Sequence, residues 1–415
     1  MSTANEAIVL NATIEAMKER MVQKNALLSV LAEDQRDTIY ADILQIADII
    51  RGNDISQNAR LFPVGDQIIV PWKDMDDVNH NTDETAYQVP LNILGHRNVT
   101  LETGEELPGM FVQWHYCSPY GVQFSNYQAF MNCTEGLAAG TYFITIGANW
   151  GTNAVANTKW NFTLTQAVPA GGRLSGFEGM PDVVSSSWKV KSWATPGAAS
   201  PLETVNVVSG EAGTDLGTLN MYTGSDASIN GMQNVAYGHN RWSTSAIRQY
   251  LNASGNNWWT SKEDFDIRPN EYSKKGFLSG FNSDFLSVIK PIRVNTALNT
   301  VEGFADNTEY TYDKFFLPSL EEMYVTPQLA TVEGPYFPYW KERLGLTAPA
   351  GWHPNIYQNL IHYAINAQTS AQHVRWRSAS RGNSCYPWSV HSSGFVSYDY
   401  RAYHAFRFSP VCVIC

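Results

Sequence analysis

The chain has 415 residues and a net charge of −11. Only 16% of residues are charged, where about 25% is usual, and 13% are aromatic. Its acidic balance argues against duplex-DNA binding, which needs clustered Lys and Arg, and its apolar runs are too short for a membrane-spanning helix.

In chain order, the first stretch lacks a charged lead followed by an unbroken apolar core, so no secretory signal is expected. Residues 4–33 carry a heptad-like series of Ala7, Leu10, Ile14, Met17, Met21, Leu28 and Leu31, interrupted by Lys24. Steps of three and four fit a short parallel coiled coil or an amphipathic helix packed on a neighbour. A second helix is predicted from about Asp37 to Arg51, with Ile39, Ile43, Ile46 and Ile50 on one face and Gly52 as its stop. Residues 1–60 are thus expected to be a helical oligomerisation or anchoring segment.

From Leu61 the texture becomes β-rich. LFPVGDQIIVPW, FVQWHY, TYFITIG and WNFTLTQAV read as strands between Gly- and Asn-rich loops. This region is taken as 61–210, with 101–165 as an insert read as a β-sandwich, a second binding module or part of an oligomer contact. Further on, WSTSAIRQYLN predicts a helix capped by Ser243 or Thr244, and SDFLSVIKPIRV a short helix running into a strand. DKFFLPSLEEMY predicts a strand, a Pro-Ser turn and a helix with Glu321 and Glu322 in its first turn. SPVCVIC reads as a terminal core strand.

The five cysteines, Cys117, Cys133, Cys385, Cys412 and Cys415, are a poor disulfide framework. Cys117 and Cys133 are read either as facing each other across neighbouring strands or as two buried free thiols. The terminal C-x-x-C lacks the helix N-terminus or second ligand pair that redox or zinc chemistry needs. No phosphate loop, H-E-x-x-H, G-x-S-x-G or EF-hand loop is present. The nine histidines show no metal-ligand spacing, and His373 and His391 stand in different contexts. No cofactor, metal or catalytic residue is therefore expected.

Residues 383–415 are the most informative stretch. Tyr386, Trp388, Phe395, Tyr398, Tyr400, Tyr403, Phe406 and Phe408 crowd into it beside the charges of Asp399, Arg401 and Arg407. SYDYRAYHAF follows neither a period of 2 nor of 3.6, so it lacks the apolar face of a buried strand. Tyr, Ser, Arg and His are what binding surfaces use, because rings give contact area at low entropy cost.

The genetic code adds a second observation. Randomising both adenines of an asparagine codon reaches fifteen residue types and excludes Lys, Glu, Gln, Met and Trp. Cys385, Tyr386, Ser389, His391, Phe395, Ser397, Tyr398, Asp399, Tyr400, Arg401, Tyr403, His404 and Phe406 all lie in the reachable set. Between them runs a plain frame that includes Trp388, Val390, Gly394 and Val396.

That frame, W-R-S-x-S-R-x-N-S-x-x-x-W-x-V-x-S-x-G-x-V followed by R-F-S-P-V-C-V-I, resembles the variable region of proteins diversified by retroelements. Such retroelements copy a template while mutating its adenines. Pro387 departs from related tails, which often have Ala. Upstream, YGHNRWSTSAIRQYLN, GFLSGFNSDFLSVIKPIRVNT and DKFFLPSLEEMY resemble a domain family of uncharacterised function common in gut phages and bacteria. The likeness covers about 235–415 best.

It implies a C-type-lectin-like domain of the formylglycine-generating-enzyme type over 211–415, which together with the N-terminal helical segment and β-rich middle read above makes an α+β chain. The variable ligand-binding region is then about 383–408, its thirteen adenine-reachable side chains facing outward. Trp388, Val390, Gly394, Val396, Phe408 and Val411 would form an inward scaffold. The implied function is binding of a cell-surface protein or glycan receptor on a host bacterium, as a homotrimer on a phage tail tip or as a bacterial surface adhesin. Nucleic-acid partners and membrane insertion are not expected. The competing readings are a lectin of fixed specificity, a structural virion protein, and an oxidase using paired cysteines. The tail supplies only Asp399 towards a calcium site, which disfavours a calcium-dependent lectin.

Overall fold

In the computed structural model the described residues are 42–74, 86–126, 129–146, 156–175, 189–194, 201–219, 227–229, 232–236, 239–260, 262, 269–300, 307–325, 333–347, 357–383 and 385–415. Of these, 42% lie in strands and 16% in helices, and the α-helices among them are five short ones. The expected α+β class with an N-terminal helical segment is therefore corrected: the chain is mostly β, with a curled sheet. The heptad-like series of 4–33 lies outside the described residues. Helices Ile43–Gly52 and Ile55–Leu61 are present, each with an aspartate cap, and the second closes a capping box between Asp54 and Gln57. They make no layer of their own. Ile46, Ala47 and Ile50 enter the same core as the chain's last strand.

That core is built on a five-stranded antiparallel sheet, ordered Gln67–Lys73, Ala86–Thr100, Glu106–Trp114, Val411–Ile414 and Phe315–Phe316. The edge strand alternates cleanly. Ile68, Val70 and Trp72 are buried while Ile69, Pro71 and Lys73 are exposed. Proline is tolerated here because an edge strand has a free hydrogen-bonding side. The inner strands lose the alternation because both faces are covered, and every residue of Val411–Ile414 is buried. Rings fill one face. Trp72 and Trp114 meet at 5.2 Å, Trp114 and Phe277 at 5.2 Å, and Phe277 touches Phe315 at 5.1 Å and Phe408 at 5.7 Å. Part of region 211–415 joins this sheet. Its final strand lies between Glu106–Trp114 and Phe315–Phe316.

A nine-stranded sheet runs between Ala129 and Ala236, and its end strands, Thr214–Leu219 and Ala227–Ile229, approach each other. It encloses a second core of Met131, Ile144, Ile146, Phe162, Leu174, Val190 and Val207 among others. The strand Glu106–Trp114, placed in the insert by the 101–165 boundary, belongs to the first core instead. Cys117 and Cys133 consequently sit in different cores, and both are free thiols.

The upstream motifs tie the first core together. In WSTSAIR, helix Ala246–Leu251 is capped by Ser245, not by Ser243 or Thr244. Arg248 Nε and Trp242 Nε1 donate to the buried Asp313 carboxylate at 2.7 and 2.9 Å, and Arg241 pairs with Glu309 at 2.8 Å. Helix Ser283–Val288 runs into strand Ile292–Ala297 as expected. After Phe315–Phe316 the predicted helix is a turn. Ser319 and Glu322 cap each other's backbone N–H groups, and Glu322 is held by Arg377 from strand Val374–Ala379. Tertiary pairing there replaces helix propagation.

The insert's entry and exit strands are adjacent, with Ala129 opposite Ala236. Replacing 129–236 by a short Gly-Ser bridge is expected to leave the first core folded, because loop closure is already satisfied at those ends. Calorimetry should then show one cooperative transition. Its absence would mean that the two cores stabilise each other.

Candidate ligand-binding face

The tail begins on strand Val374–Ala379, all of it buried. It continues as a hairpin, Pro387–Val390 against Val396–Ser397. His391 N–H donates to Phe395 O at 2.8 Å and Gly394 N–H to His391 O at 2.9 Å. Gly394 closes this turn at φ 84°, a conformation that side chains rarely adopt. The chain then runs irregularly to Ala405–Phe406, which pairs with Val122–Gln123. Trp388, Val390, Gly394, Val396, Phe408 and Val411 are buried, so the frame residues point inward.

Little regular structure holds 398–404, yet its backbone is fixed. Arg375 is the main clamp. Its guanidinium donates to Pro387 O at 2.8 Å, Tyr400 O at 3.1 Å, Arg401 O at 3.1 Å and His404 O at 3.5 Å. The side chain is fully buried, and burial without an opposing charge lowers its pKa. Asn240 Nδ2 donates to Ser380 O, Asn383 O and Tyr386 O at 3.2, 2.7 and 3.1 Å. Gln123 Nε2 reaches Tyr403 O at 2.8 Å, and Ala402 N–H donates to Cys385 O at 2.8 Å.

On this bed the rings form one connected group. His373 and His391 lie 4.7 Å apart, Tyr400 is 5.5 and 5.2 Å from them, and Phe406 is 4.9 Å from Tyr400. His404 stacks on Tyr403 at 4.3 Å and meets Tyr400 at 5.4 Å. Phe395 packs edge-on to His391 at 5.5 Å, and Phe406 covers the Arg375 guanidinium at 4.4 Å. Tyr398 leans on Trp388 at 4.9 Å. The sequence contexts of His373 and His391 gave no reason to pair them; the hairpin brings them into contact.

The thirteen adenine-reachable positions do not all face outward. Cys385, Ser389 and Ser397 are buried, which corrects the expectation for these three. Ser389 Oγ donates to Ser397 O at 3.3 Å, and Ser397 Oγ accepts from Asp399 N–H at 2.9 Å. Asp399 is exposed. Tyr386, His391, Phe395, Tyr398, Tyr400, Arg401, Tyr403, His404 and Phe406 are half-buried, and Tyr398 packs against the edge of the first core. Arg401 Nε also reaches Tyr386 Oη at 3.3 Å.

His373, Arg375, Asn240 and Gln123 escaped the sequence reading. Only Arg375 left a signal: with Arg377 it flanks Trp376 in the strand VRWRSA. Among the described residues no group of three or more His, Cys, Asp or Glu is placed to hold a metal ion. Burial pushes the Cys412 and Cys415 thiols up, away from the thiolate that redox chemistry uses.

Residues 221–412 match the family described as a domain of unknown function, DUF6273. No curated protein and no solved structure matches the chain.

Asn240 also accepts from Asn299 Nδ2 at 3.0 Å, so its removal strands several buried groups. Asn240→Ala is expected to cost about 2 kcal/mol or more in denaturant unfolding. A loss below roughly 0.5 kcal/mol would show that the loop is held by other means.

Proposed function

We propose that this chain is a ligand- or receptor-binding protein whose tail is rewritten by a diversity-generating retroelement. One observation carries the reading. Of the carbonyls that anchor the tail, those of Cys385, Tyr386, Tyr400, Arg401, Tyr403 and His404 belong to adenine-reachable positions, and those of Ser380, Asn383 and Pro387 belong to the frame around them. Their donors, Ala402, Asn240, Arg375 and Gln123, lie outside that set. Every residue type supplies the same carbonyl, so side chains can change while the clamps persist. A surface of fixed specificity has no need of this separation.

The half-buried rings supply the binding energy. Tyr, Arg and His in partly desolvated positions are the residue types that dominate interfaces, and a backbone fixed beforehand reduces the ordering cost of binding. The partner is a cell-surface protein or glycan of a host bacterium, met from a phage tail tip or from a bacterial surface. A homotrimer would turn weak single contacts into avidity wherever the target repeats.

The gene's neighbourhood and its natural variants test this. A near-copy of the codons for 376–415, differing mainly at adenines and lying beside a reverse transcriptase, is expected. Sequences from independent isolates should differ at the outward positions, while Cys385, Ser389 and Ser397 vary only among small residues, because a large side chain there overpacks the core. Differences spread evenly over the chain would remove the retroelement reading. An invariant tail would favour the lectin of fixed specificity.

A further inference from the structure

We propose that the tail face is acid-sensitive: protonation of His373, His391 and His404 pushes the ring cluster apart and loosens segment 391–406 while the first core stays folded. As control of ligand binding, this rests on the reading of the tail as a binding face. As a property of the chain alone, it does not.

The geometry is that of three imidazoles gathered around a permanent cation. His373 and His391 are in ring contact at 4.7 Å, and Tyr400 touches both. His404 joins through Tyr400 at 5.4 Å and through Phe406 at 6.1 Å. Phe406 bridges them to Arg375, 5.1 Å from His373 on one side and 4.4 Å from the guanidinium on the other. The charged groups facing the cluster are Arg375, on the strand beneath His373, and Arg401 and Asp399, on the loop that carries Tyr400. Asp399 favours the charged form of His391, but it is exposed, and water screens it. A proton on His373 or His391 therefore meets the other ring 4.7 Å away and the charge of the buried Arg375.

Burial lowers the pKa of all three histidines, and the Arg375 charge lowers each further; His373 adds to this at His391, and Arg401 at His404. The sign follows from linkage. A histidine depressed when folded takes its proton more readily once released. Its stabilising effect is complete above the unfolded value of about 6.5 and is lost as pH falls through the lower folded value. Segment 391–406 feels the loss first, since carbonyl clamps rather than long ladders hold it.

Hydrogen exchange of the full chain tests this, after correction for the intrinsic pH dependence of exchange. Between about pH 7.5 and pH 5, protection of 391–406 is expected to fall at least about tenfold relative to strand Ala86–Thr100. A variant carrying His391→Asn and His404→Asn, polar but unable to take a proton, should lose most of that response. An unchanged ratio in the wild type, or a full response in the variant, overturns the proposal. If the variant does not fold, the histidine C2-proton titration of the unaltered chain decides. Midpoints below about 6.5 support the proposal and midpoints at or above it overturn it. These readouts need no ligand, so failure here leaves the binding reading standing. An invariant tail among isolates would remove the retroelement reading without touching the acid response.

Discussion

The Arg375 guanidinium lies fully buried with no carboxylate against it, and carbonyl oxygens from four tail residues take its hydrogen bonds. A buried charge is costly unless it is hydrogen-bonded, and the tail backbone meets both terminal nitrogens of the fork, while Nε has no partner among the described residues. Few conformations of a loop place Pro387, Tyr400, Arg401 and His404 carbonyls around one fork. The planar geometry of arginine, which a lysine ammonium lacks, makes that demand directional. The conformation of the face is thereby specified from beneath, independently of what the face displays.

Arg377, two residues along the same strand, shows the contrast. It is equally buried but meets the Glu322 carboxylate together with the carbonyls of Asn295, Leu317 and Glu333. Glu333 is itself buried, accepts from Ser378 and Ala297, and has its pKa raised by that burial. This network joins strand Val374–Ala379 to the turn after Phe316 and to strand Ile292–Ala297, all inside the first core. One strand thus carries two buried cations with opposite duties. The one with a counter-charge fixes core to core, and the one without fixes core to surface.

The sequence showed its strands more plainly than its layers. Ile68, Val70 and Trp72 alternate with exposed neighbours, and that period of two is legible in isolation. Which strands join in one sheet is not a local property. Glu106–Trp114 and Gly140–Ile146 look alike as apolar runs, and only long-range pairing sends one to each core. The helix expected after Pro318 failed for a related reason, since Glu322 is engaged by Arg377, 55 residues away. In the tail, composition exposed the aromatic face and the inward frame. It could not separate Ser389 and Ser397 from Ser392, because burial of a small hydroxyl leaves no pattern. Nor could it reach Asn240 and Gln123, whose amides act on carbonyls 140 and 280 residues away.

Residues 380–410 are anchored in the first core on both sides. Val411–Ile414 lies inside the main sheet, flanked by Glu106–Trp114 and Phe315–Phe316, so the segment before it is tethered at both ends. Upstream, the tether is the buried strand Val374–Ala379. Between these anchors the backbone leaves the core and returns within about thirty residues, which keeps the entropic cost of ordering it small. Frame side chains such as Trp388, Val390 and Phe408 point down into that core, and the carbonyl clamps act in the plane between core and surface. Outward side chains are left mostly with one another and with solvent, apart from Tyr398 on Trp388 and Phe406 over Arg375. Their mutual contacts are ring edges and faces worth on the order of 1 kcal/mol each, small against a core whose inner strands are buried on both sides. Exchange of one ring for another alters what the face can touch far more than it alters whether the chain folds.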